Sequence, residues 1–208
     1  MIVVLLLALL VPGSRFPIPD VTQELVDRTL ALVGGQPITL SDARGALALG
    51  LIDVGPALPS QIRDAAGRLI QRELILREVQ RYAPGAPSEA VVDARLEQVR
   101  TRFPDAAAMN RVLDANGFTE ARLRAWLRDD LRTESYLAQR FASASTPTDA
   151  DIAAAYARSK AEFDKNSTSF ERAAPIVRDR LIESRRSELI ADWVSDLRRR
   201  TEVVILEQ

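Results

Sequence analysis

The sequence contains no histidine and no cysteine. That pair of absences removes the Ser-His-Asp triad, cysteine nucleophiles, thiolate or imidazole zinc sites and disulfides in one step. Lysine is almost missing as well. Every basic residue other than Lys160 and Lys165 is arginine, whose guanidinium stays protonated and suits ion pairs, not proton abstraction. Chemistry in this chain would have to come from carboxylates, Tyr, Ser/Thr or those two lysines, so the composition argues for a non-enzyme, with no metal and no cofactor. Excess charge is lacking too: 28 basic against 29 acidic residues give a formal net charge of -1. No whole-molecule field draws the chain to nucleic acid or to an anionic surface. Lack of cysteine is compatible with an oxidising compartment and equally with the cytosol.

Long hydrophobic runs are absent except at the start, where Ile2 to Val11 is unbroken and ends at Pro12-Gly13-Ser14. About ten residues cannot cross a hydrocarbon core that needs ~20. The length suits the apolar region of a secretory signal peptide or an uncleaved membrane anchor, although a basic leader and a small-x-small cleavage site are missing. A buried N-terminal strand is the alternative. This reading divides the chain into a leader over 1–14, a linker over 15–25 carrying Pro17 and Pro19, and a folded domain over 26–208.

Hydropathy and capping residues place the elements of that domain. The run Thr29 to Val33, a Gly34-Gly35 turn and the return through Ile38 predict a hairpin. Thr39 and Asp42 have capping-box spacing, so a helix starts there and runs to about Leu51. A second helix follows Ser60 and stops before Pro84-Gly85; a third follows Ser88 as far as about Phe103. Pro104-Asp105 opens a shorter helix that ends at Asn116-Gly117, and Thr119 opens the next, with Trp126, Leu127, Leu131, Leu137, Ala138 and Phe141 in one stripe. Thr146-Pro147-Thr148 opens a helix that presents Ile152, Tyr156 and Phe163 inward. Pro175 is expected within the first turn of the last helix, leaving 170–174 as a separate turn. Val203 to Leu206 closes the chain as a strand, and pairing it with the hairpin would put Leu30, Leu32 and Ile205 on one sheet face. The fold class is therefore mainly α: a multi-helix core with a small β-sheet joining the N-terminal hairpin to the C-terminal strand.

These segments, in this order, resemble a known family. Val26 to Val33 followed by Gly34-Gly35-Gln36-Pro37-Ile38-Thr39-Leu40-Ser41 is similar to the opening of the SurA-type periplasmic chaperones, with Gly34 where that family carries Asn. Leu69 to Ile75 resembles the family's second-helix segment, Tyr156 to Phe163 its Tyr-x6-Phe stretch, and Phe170, Leu181, Arg185-Arg186, Trp193, Leu197 and Val203 its closing helix and strand. Longer members insert parvulin domains before the closing helix, where this chain has only Asp164 to Ser169. The resemblance thus implies the chaperone core alone: an ATP-independent, periplasmic holdase for unfolded polypeptides such as outer-membrane proteins, without prolyl isomerase activity. A non-catalytic adaptor or assembly scaffold in the cell envelope, with one folded partner, is the alternative.

Client binding requires exposed apolar surface. The segments best placed to leave it exposed lie near helix breakers, and they supply the candidate client-binding residues Leu49, Leu51, Ile52, Val54, Phe103, Met109 and Phe118, together with Trp126 of the Thr119 helix. Packing on neighbouring helices is the competing expectation for each. Asp130 and Glu134, one turn apart, could serve acid–base chemistry or a hard cation, or could be held by arginines of another helix. Arg198-Arg199-Arg200 suits phosphate or lipid headgroups, and equally the negative end of a helix dipole. Partners follow from these readings: polypeptide clients, no nucleic acid, membrane anchoring only through the N-terminus, and a homodimer if terminal strands exchange.

Overall fold

The computed structural model describes residues 27–55, 60–82 and 84–206. The leader over 1–14, the linker over 15–25 and the breaker prolines Pro56 and Pro59 lie outside the described residues. The chain folds as expected in class: eight helices and one three-stranded antiparallel sheet among the described residues. No helix among them is long and apolar enough to cross a membrane.

Strand β1 (Thr29–Val33) pairs with β2 (Gln36–Thr39) through a two-residue loop, Val33 standing opposite Gln36. Both loop residues need positive φ, and Gly34 (53°) and Gly35 (84°) adopt it without Cβ strain. Strand β3 (Val203–Ile205) pairs antiparallel with the other edge of β1, so the sheet order is β2-β1-β3 and the two ends of the domain meet. Ala31, Val33 and Ile38 are buried against the helices. The expected inner face needs correction here. The register pairs Ile205 with Ala31 and sets Val204 beside Leu32, and Ile205 is 58% exposed on the edge strand. A register shift between Thr29 and Ala31 accompanies burial of both Leu30 and Ala31.

Helix α1 (Leu40–Ala48) begins with the expected capping box, Asp42 N–H donating to Thr39 Oγ1 at 3.2 Å and Thr39 N–H to Asp42 Oδ2 at 2.9 Å. It ends three residues before Leu51. Gly50 adopts φ 63°, and Leu51 N–H donates to Ala46 O at 2.8 Å while Gly50 N–H donates to Leu47 O at 3.0 Å, a Schellman closure. Helix α2 (Gln61–Tyr82) is central: Leu69, Ile70, Leu74, Ile75 and Val79 are buried among the sheet, α1 and two later helices.

Helices α3 (Glu89–Arg100), α4 (Ala106–Ala115) and α5 (Glu120–Arg140) surround a second core of Leu49, Leu96, Val99, Met109, Leu113, Phe118, Leu123 and Leu127. Asp105 and Thr119 cap α4 and α5 through the backbone N–H of Ala108 and Arg122. Of the stripe expected on α5, Leu127 is buried and Ala138 is exposed; Leu123 joins the core and Phe141 closes the helix against Trp193.

The stretch expected as one helix from Thr148 to Phe163 is two, α6 (Asp149–Arg158) and α7 (Lys160–Lys165), because the chain turns at Ser159. The turn stacks Phe163 on Tyr156, ring centroids 5.4 Å apart. Helix α8 (Phe170–Arg200) is unbroken, with Pro175 inside it, so 170–174 are its first residues and not a separate turn. Burial of Ala173 and Val177 against Ile152 and Phe163 holds that first stretch helical despite the lost amide. Helix α8 therefore belongs to two cores, a small one with α6 and α7 and, through Trp193 and Leu197, the main one.

Closure of the sheet by β3 sets the first expected outcome. Removing residues 203–208 lowers the melting temperature sharply. Val33→Asp destabilises by about 3 kcal/mol, since it buries a charge. Ile205→Asp changes stability by no more than about 0.5 kcal/mol, as exposed positions do. Urea unfolding of the three variants checks the ranking.

Candidate functional site

The residues expected to bind clients fall into three environments. Leu49, Met109 and Phe118 are 0%, 3% and 2% exposed and fill the second core. They pack on neighbouring helices, as the competing expectation had it. Phe103 is half-buried and lines a depression of about 490 Å³ beside α4, whose walls include Glu97, Arg100, Asp105 and Glu120. Trp126 is half-buried beneath the Arg72 guanidinium, which lies 3.8 Å from the ring centroid. Leu51, Ile52 and Val54 remain partly open.

Those three sit on a furrow across α2. A depression of about 420 Å³ is lined by Leu51, Ile52 and Ile75 with Arg72, Asp130 and Glu134. A second, of about 670 Å³, shares Asp53, Arg68 and Gln71 with it and adds Val54, Arg63 and Gly67. A third, of about 300 Å³, shares Gly67 and Gln71 and continues onto α8 at Ala191, Val194 and Arg198. The passage is open at Gly67, where a Cβ would meet nothing within 4 Å. The furrow thus offers separated apolar contacts, from Leu51 to Val194, between polar rims.

Its α5 wall is built of ion pairs. Arg72 Nε donates to Asp130 Oδ1 at 2.9 Å and Arg72 Nη2 to Trp126 O at 3.3 Å. Arg95 of α3 meets Glu134 through two parallel bonds of 2.9 Å, the fork geometry that guanidinium and carboxylate share. The two acids are therefore held by arginines of other helices. Among the described residues, no group of three or more potential metal ligands stands together. Burial pushes the Asp130 carboxyl above its ordinary value, with Arg72 opposing the shift and Glu134 adding to it. Burial likewise raises Glu73, against the pull of Arg77 and Arg72.

The arginine run at the end of α8 divides. Arg198 lines the furrow, Arg199 pairs with Asp196, and Arg200 borders a separate depression beside Gly34 and Arg77. Ile70 and Leu74, which border the furrow, are core residues as their spacing indicates, whereas Val194 carried no signal, because which neighbour leaves a helix face uncovered is decided by tertiary packing. Gly67 interrupts a strong helical pattern at a cost of about 1 kcal/mol, and no packing contact requires it.

The Arg72–Asp130 pair has testable energetics. Asp130→Ala leaves a mostly enclosed guanidinium unpaired and destabilises by about 1–3 kcal/mol. The double variant Arg72→Met/Asp130→Leu destabilises by less than the sum of its single changes, measured as a double-mutant cycle in urea. The pH dependence has a definite sign. An acid raised in the folded state holds its proton more firmly there, so its contribution is greatest below the ordinary value of 3.8 and is lost as pH rises through the folded value. Wild type therefore loses stability relative to Asp130→Asn as pH rises from about 4.

The chain matches no family in a scan of protein-family profiles and no curated protein in a sequence search.

Proposed function

We propose that the chain is an ATP-independent holdase of the periplasm, non-catalytic, which keeps unfolded polypeptides such as outer-membrane proteins from aggregating and has no prolyl isomerase activity. The observation that carries the reading is the furrow. Extended polypeptide presents apolar side chains at intervals, with polar backbone between them. Leu51, Ile52, Val54 and Val194 offer partly open apolar contacts at intervals, between charged and amide side chains. An open furrow of this kind grips many sequences weakly and releases them without a nucleotide cycle. The order of elements, with a helical body closed by one sheet from both ends of the domain, supports the same reading through the SurA-type resemblance.

One feature favours an envelope adaptor instead. Val204, Ile205 and Leu206 are 40%, 58% and 38% exposed on the free edge of β3, and an uncovered strand edge suits one partner that adds a strand.

Light scattering of an unfolded outer-membrane β-barrel protein distinguishes the two. The chain delays aggregation without ATP at a few-fold molar excess, with affinity of ~1 µM from scattered contacts. Leu51→Ser/Ile52→Ser reduces that delay more than it reduces unfolding free energy. An unaltered scattering curve, together with stoichiometric capture of one folded partner that is lost on Ile205→Asp, overturns the holdase in favour of the adaptor.

A further inference from the structure

We propose that the furrow selects polypeptide segments in which acidic residues alternate with apolar ones, with Arg63, Arg68 and Arg198 receiving the carboxylates; the inference rests on the holdase reading and names the class of client. Its ground is the charge left over when internal pairing is complete. Five guanidinium groups line the furrow. Two of them are committed, Arg72 to Asp130 and Arg95 to Glu134. Among the described residues the other three, Arg63, Arg68 and Arg198, lie in no ion pair. Other arginines of the surface are unpaired too, among them Arg44, Arg111 and Arg158; what sets Arg63, Arg68 and Arg198 apart is that they line one furrow.

The acids nearby do not answer them. Asp53 accepts the Gly55 N–H at 2.8 Å and Asp64 the Ser60 hydroxyl at 2.9 Å, so both are turned to local backbone and side-chain donors. Three unpaired guanidinium groups thus stand beside two locally bonded carboxylates, and the furrow as a whole carries five guanidinium groups against the four carboxylates of Asp53, Asp64, Asp130 and Glu134, with Val54 and Val194 between them. Their placement suits a strand-like ligand. Arg63 and Arg68 stand on α2 on either side of Gly67, and Arg198 stands on α8 at the furrow's end, beyond Val194. A peptide lying over Gly67 brings its backbone close to the helix there, sets apolar side chains toward Val54 and Val194, and points the alternate residues at the rims. Planar forks on those rims recognise carboxylates better than they recognise amides or hydroxyls. A membrane surface fits less well, since the apolar residues lie along a furrow floor and do not project from one face.

The test is a titration of the full chain with a fluorescein-labelled peptide alternating Val and Leu with Asp and Glu, against its counterpart with Asn and Gln. The acidic peptide binds about fivefold more tightly at low salt, the size expected of a few exposed pairs, and the preference shrinks as salt is added. Arg63→Gln/Arg68→Gln/Arg198→Gln, all exposed positions, abolishes the preference, so that the two peptides bind alike. Equal binding of the two peptides overturns the inference and leaves the holdase reading standing. Failure of both peptides to bind overturns both. A preference that survives in the triple variant places acid recognition elsewhere and overturns the inference. Displacement of the bound acidic peptide by phosphatidylglycerol vesicles, but not by excess unlabelled peptide, makes a lipid surface the ligand and overturns it as well.

Discussion

Helix α2 has apolar residues on too many sides for any one neighbour to cover. Leu69, Ile70, Leu74, Ile75 and Val79 are all buried, along with Ala65, Ala66 and Leu76. A helix that is apolar over most of its circumference must be enclosed. Enclosure needs partners from distant parts of the sequence: the sheet and α1 from the beginning, α5 from the middle and the end of α8. The rest of the architecture follows. Trp193 and Leu197 can reach α2 only if α8 returns to the body, and that return carries the chain into β3 beside β1. A face of α2 around Gly67 that none of the described elements covers becomes the furrow.

A cation set that is arginine but for two lysines leaves its mark on how the outer helices are joined. Arg124 reaches both Glu89 and Asp93, Arg128 reaches Glu89 at 2.8 Å, and Arg95 forks onto Glu134. These pairs are mostly exposed, where each contributes only about 0.2–1 kcal/mol. Their weight lies in orientation, because a planar fork fixes the angle between two helices in a way that a lysine ammonium does not. Between α6 and α8 the same device appears at Arg185 and Asp151, 3.0 Å apart. There the Asp151 carboxyl is held down to about 2, first by the Thr148 backbone and hydroxyl and then by Arg185. Acids that cap a helix and acids buried beneath one are thus displaced in opposite directions within a single chain.

Much of this was legible in the sequence where a local rule sets the structure. Thr39, Asp105, Thr119 and Thr148 each cap a helix because a short oxygen-bearing side chain satisfies an amide that the helix cannot. The Gly34-Gly35 turn and the meeting of hairpin and closing strand were likewise readable, from backbone permissiveness and from unpaired strand edges. Non-local balance was not readable. Pro175 sits inside α8 because contacts with Ile152 and Phe163 outweigh a missing amide, and no local rule weighs one against the other. The site shows the same division. Leu51, Ile52 and Val54 were identified as apolar residues in a segment near helix breakers, whereas Leu49, in the same segment, closes the second core. The expectation distinguished segments, and the structure distinguishes neighbours within a segment. Arg63 and Arg68 had no signal at all, since being unpaired is a property of the whole surface.

The pairing of β1 with β3 has a consequence for how the protein is made. Residues 29–33 leave the ribosome early, and their partners at 203–205 leave more than a hundred and fifty positions later. Until then β1 has only the hairpin, which is marginal in water by itself. Helix α2 waits equally long for Trp193 and Leu197. The second core, closed by α3, α4 and α5, needs no residue beyond Leu127 and can form during synthesis. The nascent chain therefore passes through a stage in which its middle is folded and its beginning is not. During that stage the apolar side of α2 is itself exposed, unfolded polypeptide.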